Sequence, residues 1–149
     1  MRSHRELIAW QRAHELAIDS HKYCAQTWSP VHAAAIDQLR RASLSIPLNI
    51  AEGFAFGRSA RCRHHLRIAY GSAVETTDIL EFLDEMKAPD AHHIGILVNL
   101  SHRVQALTLR LCNAAKCDSS LVSRLSSLVS HQTITTFPNV PLDTRSSCA

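Results

Sequence analysis

The chain has little of what breaks helices: four Gly and five Pro in 149 residues. That scarcity argues against many short strands joined by turns and favours a few long helices. No uninterrupted apolar run is long enough to span a bilayer, and charged residues make up 19% of the chain, so neither a membrane span nor a charge-swollen disordered chain fits. The first residues, Met1-Arg-Ser-His-Arg-Glu6, lead into a stretch interrupted by Arg12 and Glu15 rather than into the apolar centre of a secretory leader, which implies a cytoplasmic protein. Five cysteines (Cys24, Cys62, Cys112, Cys117 and Cys148) form no CxxC pair, and their odd number points to reduced, mostly buried thiols rather than a disulfide framework.

What is present is periodicity. Leu7, Trp10, Ala13, Leu16/Ala17 and Tyr23/Cys24 recur at three- and four-residue steps, predicting a first helix over about 5–27. A second is predicted from about His32 to Phe54, with Ile36, Leu39, Ala42/Ser43, Ile46 and Ile50 on one side. Pro47 inside it deletes the bond to the Ser43 carbonyl and should bend it, at a cost of roughly 3 kcal/mol, with Ser43 or Ser45 available to the freed carbonyls. Ser59 is placed to cap a third helix reaching about Lys87. The fourth, about Asp90 to Lys116, carries Leu97, Leu100, Val104, Leu107, Leu111 and Ala114 in bundle-seam spacing. Four such helices with short connections predict an all-α fold, an antiparallel up-down-up-down four-helix bundle over 1–117. Residues 118–149, rich in Ser and Thr, read as a loosely attached tail that is weakly helical or disordered.

Most catalytic patterns fail on inspection. His14-Glu15 opens like a zincin helix, but Ile18 stands where the second imidazole belongs, and no Glu is followed three residues later by His as a di-iron bundle requires. The pairs His64-His65 and His92-His93 point their rings apart on a helix. No metal or cofactor is expected. One arrangement survives: Arg58 with His64 and His65, at a spacing similar to that of small helical ribonucleases of the higher-eukaryote and prokaryote nucleotide-binding type. There an imidazole would move a proton at the ribose 2′-hydroxyl while a guanidinium holds phosphate. An Arg- and His-rich solvated helix face gives the same pattern without chemistry.

Charge is more informative. Residues 1–67 carry ten Lys/Arg against five Asp/Glu, residues 68–100 one against six, and residues 101–149 five against two. In an antiparallel bundle these blocks become poles. Arg2, Arg5, Arg58, Arg61, Arg63, Arg67, Arg110 and Lys116 fall at one end; Glu81, Asp84, Glu85 and Asp90 fall at the other, beside Lys22, Arg40 and Arg41. A basic pole is the footprint of phosphate binding, so Arg58, Arg61, Arg63 and Arg67 are the candidate nucleic-acid-binding residues, with Phe54 and Phe56 the nearby aromatics.

The segment Gln38-Leu-Arg-Arg-Ala-Ser-Leu-Ser-Ile-Pro-Leu-Asn-Ile-Ala-Glu-Gly53 closely resembles the signature of a bacterial four-helix-bundle family first recognised in intervening sequences of large-subunit ribosomal RNA genes. The likeness continues in Leu7, Trp10-Gln11, Arg58-Ser59 and Ile68-Ala-Tyr-Gly-Ser-Ala-Val-Glu75, and spans about residues 5–117. It implies an up-and-down bundle, commonly a homopentamer, without known catalytic activity. The chain is also similar to the accessory proteins of diversity-generating retroelements, which implies RNA, DNA or a reverse transcriptase as partner; a protein-only scaffold is the alternative.

Arg40, Arg41, Ser45, Pro47, Asn49, Glu52 and Gly53 match the family motif, and each also has a structural reading. Pro47 bends the helix, Gly53 ends it in the left-handed conformation, and Asn49 and Glu52 bond to neighbouring helices or to Arg58. The chain departs from the pattern at His14, Ser20 and His21, which replace apolar residues, at Cys62, which replaces the Glu of a capping box, and at His65, which replaces an aromatic. These changes should weaken the core or mark surfaces that a partner buries. Ile79, Phe82, Ile94 and Val98 lie off the main seams and suggest a second apolar face for self-assembly.

Overall fold

The computed structural model describes residues 3–129, with side chains over 3–115. After a one-turn 3-10 helix at His4–Glu6 come four helices: α1 (Ile8–Gln26), α2 (Ala33–Ala55), α3 (Ala60–Glu85) and α4 (Ala91–Val129). Each starts and stops close to the positions that periodicity sets, except that α4 runs on to Val129 instead of ending near Lys116. Residues 117–129 contain no Gly or Pro, and Leu121, Leu125 and Leu128 keep the helical step, so nothing local stops it. The chain divides into two compact units, Met1–Asp118 and Ser119–Ala149. The first is the bundle. In the second, residues 119–129 are helical, and the rest of the expected tail lies outside the described residues.

Contacts between helices fix the topology. Along α2 and α3, Gly53 faces Leu66, Ser45 meets Ser72, and Gln38 meets Glu75, so the two run antiparallel. Along α3 and α4, Leu66 pairs with Cys112 and Thr77 with Ser101. Tyr23 near the end of α1 donates to the Pro89 carbonyl at 3.1 Å and meets His93 edge-on, and Cys24 donates to the Ile36 carbonyl at 3.6 Å. These pairings describe an up-down-up-down four-helix bundle, with α1 and α3 each between α2 and α4.

The core is the set of residues the three-four pattern selects: Leu16, Ile36, Leu39, Ile46, Ile50, Leu80, Leu83, Leu97 and Val104 are fully or almost fully buried. Each such side chain contributes roughly 1.5–3 kcal/mol on leaving water. Ile94, expected on an outer face, belongs to this core, because the antiparallel fit of α4 against α1 and α3 turns its first turn inward. Ile79 and Val98 are partly buried against the core, and Phe82 is half-exposed. Between α3 and α4 the seam is polar but satisfied: the Thr77 and Ser101 hydroxyls lie 2.7 Å apart, Gln105 donates to Thr77 at 2.5 Å, and Thr77 and Ser101 both reach the Ala73 carbonyl. Ser20 differs. It is buried in α1 and its hydroxyl has no partner among the described residues, so this departure from the family pattern is a cost carried by the core.

Pro47 is buried inside α2, and the helix continues across it. Neither nearby serine serves the carbonyl it frees: Ser43 donates to the Arg40 carbonyl, and Ser45 accepts from Asn49 and Ser72. Ile46, Pro47 and Ile50 are buried around the break, where α2 packs into the core. Gly53 does not end the helix either; among the described glycines only Gly57, at φ 57°, is left-handed. The function of Gly53 is proximity. A Cβ there would lie 3.3 Å from the Cys62 carbonyl oxygen and 3.5 Å from both His65 Cβ and Leu66 Cγ, so the missing methyl lets α3 start tight against α2.

Helix α3 ends in a Schellman turn: Ala88 N–H bonds to the Leu83 carbonyl at 2.9 Å and Lys87 N–H to Asp84 at 3.0 Å. The residue in the left-handed position is Lys87, at φ 56°, where a side chain costs about 1 kcal/mol relative to glycine. Asp90, at φ 60°, follows and caps α4 by accepting the His93 N–H at 3.1 Å. Lys87→Gly is therefore expected to raise unfolding free energy by about 1 kcal/mol. Urea titration followed by circular dichroism measures it, and a loss of stability would show that the Lys87 side chain contributes more than its backbone costs.

Candidate nucleic-acid interface

The motif residues of α2 converge on one strip, the seam with α3. Arg41 chelates the Gln38 side-chain oxygen through Nε and an Nη at 3.1 and 2.6 Å, and Gln38 in turn donates to Glu75. One turn on, the Ser72 hydroxyl donates to Ser45 at 2.9 Å, and Asn49 donates to both the carbonyl and the hydroxyl of Ser45 at 2.9 and 3.1 Å. The Asn49 side-chain Oδ1 then faces His65 Nδ1 at 3.1 Å, and the same nitrogen lies 3.0 Å from Glu52. Two acceptors on one ring nitrogen assign the proton to Nδ1 and leave the lone pair on Nε2 in the neutral ring. Arg40 turns away to Asp37 at 3.6 Å. The motif thus pins α2 to α3, and Glu52 finds His65. The expected bonds from Asn49 and Glu52 to a neighbouring helix are made at His65, a position where the family pattern has an aromatic.

At the end of this strip sits the basic pole. Ser59 caps α3 by accepting the Cys62 N–H at 3.1 Å, half of a capping box. The Arg61 guanidinium lies over the Phe56 ring, 5.4 Å from its centroid, and Phe56 stacks on His65 with ring centroids 5.4 Å apart. Arg58 and Arg67 are exposed and Arg63 is half-exposed. The four arginines do not form one cluster. At 3.6 residues per turn, Arg61 and Arg63 point about 200° apart around α3. Arg61 leans toward α2 and Phe56. Arg63 and Arg67, one turn apart, share the far side.

The antiparallel topology puts the start of α1, the end of α2 and the start of α3 at this end, and Glu81, Asp84, Glu85 and Asp90 at the other. At the acidic end Lys22 pairs with Asp19 at 3.0 Å and Arg40 with Asp37. Of the two histidines expected to disturb α1, His14 is exposed and stacks on Trp10, while His21 bonds the Ala17 carbonyl at 2.8 Å. Among the described residues no group of three or more His, Cys, Asp and Glu side chains could hold a metal ion, and no helix is long and apolar enough to cross a membrane.

A family model described as 23S rRNA-intervening sequence protein matches residues 5–109 of the chain. Comparison with curated proteins finds no match.

Burial raises the thiol pKa of Cys62, the cysteine nearest the basic pole, against the opposing pull of Arg63, and burial raises that of Cys24 against Arg40. Less thiolate at neutral pH means slower alkylation, since the thiolate is the nucleophile. Iodoacetamide labelling read by peptide mass mapping should modify both more slowly than free cysteine at pH 7, and the rates should climb only as pH passes above the ordinary thiol range. Labelling of Cys62 at the free-cysteine rate would contradict the assignment.

Proposed function

Because the chain belongs to the 23S rRNA-intervening sequence protein family, and because its folded charge is divided between a basic and an acidic end, we propose that it is a non-catalytic, self-assembling protein that binds RNA through phosphate contacts. The observation that carries the reading is the basic end itself. Arg58 just before α3 and Arg61, Arg63 and Arg67 on its first two turns present cations there, and Phe56 is 41% exposed beside Arg61. Self-assembly, as a homopentamer by family resemblance, is supported by apolar side chains left in water. Ile18 and Leu44 line one groove between α1 and α2, and Leu48 continues it one turn further along α2.

One contact favours a second reading, a metal-independent ribonuclease. His65 has its Nδ1 held by Glu52 and Asn49, which is how a general-base imidazole is oriented, and His64 is exposed next to it. The same contacts also serve as a helix–helix clamp. A protein-only scaffold is the account left if RNA is not bound.

Labelled RNA and DNA incubated with the protein at about 50 and 200 mM salt separate these readings, because each neutralised phosphate releases condensed counterions and steepens the salt dependence. Retention that falls steeply with salt, without cleavage, and that survives His64→Ala/His65→Ala is the expected result. Metal-free cutting abolished by that double change would establish the ribonuclease, and no retention at low salt would leave the scaffold. Light scattering at micromolar concentration should give a multiple of the 16.6 kDa chain mass; a monomer mass would remove self-assembly.

A further inference from the structure

A second cationic surface lies on the opposite flank of the bundle from the α2–α3 motif, and no pattern along a single helix reveals it. Between α1 and α4 runs a groove of about 370 Å³ lined by Ile8, Arg12, Arg103, Ala106, Leu107 and Arg110. Its floor is aliphatic and its rim is three guanidinium groups from two helices. Arg103 and Arg110 are seven residues apart, two turns along the same face of α4, which fixes their backbone separation at about 10 Å. Both are exposed, and among the described residues no carboxylate lies within ion-pair distance of either. Arg12 touches Glu15 at 2.6 Å, an exposed pair one turn apart of the kind that contributes a few tenths of a kcal/mol, which a phosphate can displace.

The sequence of α4 reinforces this. From Ala91 to Cys117 there is no Asp or Glu at all, while Arg103, Arg110 and Lys116 are present. An amphipathic bundle helix ordinarily mixes charges on its outer face to gain pairing along the helix. A stretch of one sign gives up that gain and keeps its cations available. Unpaired guanidinium groups bordering an apolar trough suit an alternation of phosphate and sugar: the guanidinium fork binds phosphate oxygens bidentately, and the trough takes the less polar faces between.

We propose that the α1–α4 groove is a phosphate-backbone track for single-stranded RNA, with Arg12, Arg103 and Arg110 each neutralising one phosphate. This inference rests on the RNA-binding reading above and moves part of the contact from the α3 arginines to a different face. The track continues toward the basic pole, because Cys112, two residues beyond Arg110, bonds the Leu66 carbonyl near the start of α3.

The test compares the full-length protein with two variants, Arg12→Gln/Arg103→Gln/Arg110→Gln and Arg63→Gln/Arg67→Gln, by fluorescence anisotropy with a labelled single-stranded RNA oligonucleotide. At about 0.7 counterions per phosphate, losing three contacts should flatten the log–log salt slope by about 2, so the parent should lose about 20-fold more affinity than the triple variant between 50 and 200 mM salt. A triple variant with the parent's affinity and slope, while the α3 variant weakens, overturns the groove and leaves RNA binding intact. No RNA binding by the parent at low salt overturns both. Photocrosslinking with thiouridine-substituted RNA guards against a misfolded triple variant: crosslinked peptides from 8–12 and 103–110 are expected in the parent, and crosslinks confined to 58–67 overturn the proposal.

Discussion

The close approach of α2 and α3 is the contact on which the remaining geometry depends. Gly53 brings the start of α3 against the end of α2, and the Ser45 and Ser72 hydroxyls join two turns further along, so small residues and short polar bonds add to the shared apolar core in holding the two helices. With that spacing set, His65 falls between Asn49 and Glu52, and Phe56 is held against His65, where Arg61 can lie over it. A seam of this kind has directional bonds. It fixes register as well as distance, which an all-apolar interface does less strictly.

Register then decides electrostatics. The chain carries its cations and carboxylates in separate blocks, and only an antiparallel arrangement of the helices converts those blocks into ends. The arginines on the first turns of α3 are spread around the helix, Arg61 on one side and Arg63 and Arg67 on the other. Their joint effect is a field rather than a pocket, which suits an extended polyanion better than a single small anion.

Much of the fold was legible because bundle helices advertise themselves: the three- and four-residue spacing of Leu97, Leu100, Val104 and Leu107 has no other economical reading, and the Ser59 cap was visible in one residue. What escaped was whatever depends on a second helix. Gly53 looks like a terminator along the chain and is a spacer across it. Ile94 looks peripheral on its own helix and is buried by two others. Glu52 was expected to reach a neighbouring helix or Arg58; it does reach the next helix, at His65, thirteen residues away and one seam across, a partner that the sequence did not single out. The candidate site divides in the same way. Arg61 and Arg63 stand together in sequence and on opposite sides of α3, whereas Arg12 and Arg103 are 91 positions apart and border one groove.

The turn between α3 and α4 joins these themes. Lys87 and Asp90 both hold left-handed backbone, which Asp tolerates better than Lys, so the isolated hairpin pays for its own connection mainly at Lys87. What offsets that cost comes partly from another part of the chain: the Tyr23 hydroxyl on α1 grips the Pro89 carbonyl, and Ala88 is tucked into the core. The connection is therefore a keystone more than a hinge. Its shape is imposed by the docked first helix, and a disturbance at the end of α1 is felt directly as a change in how α4 departs from α3.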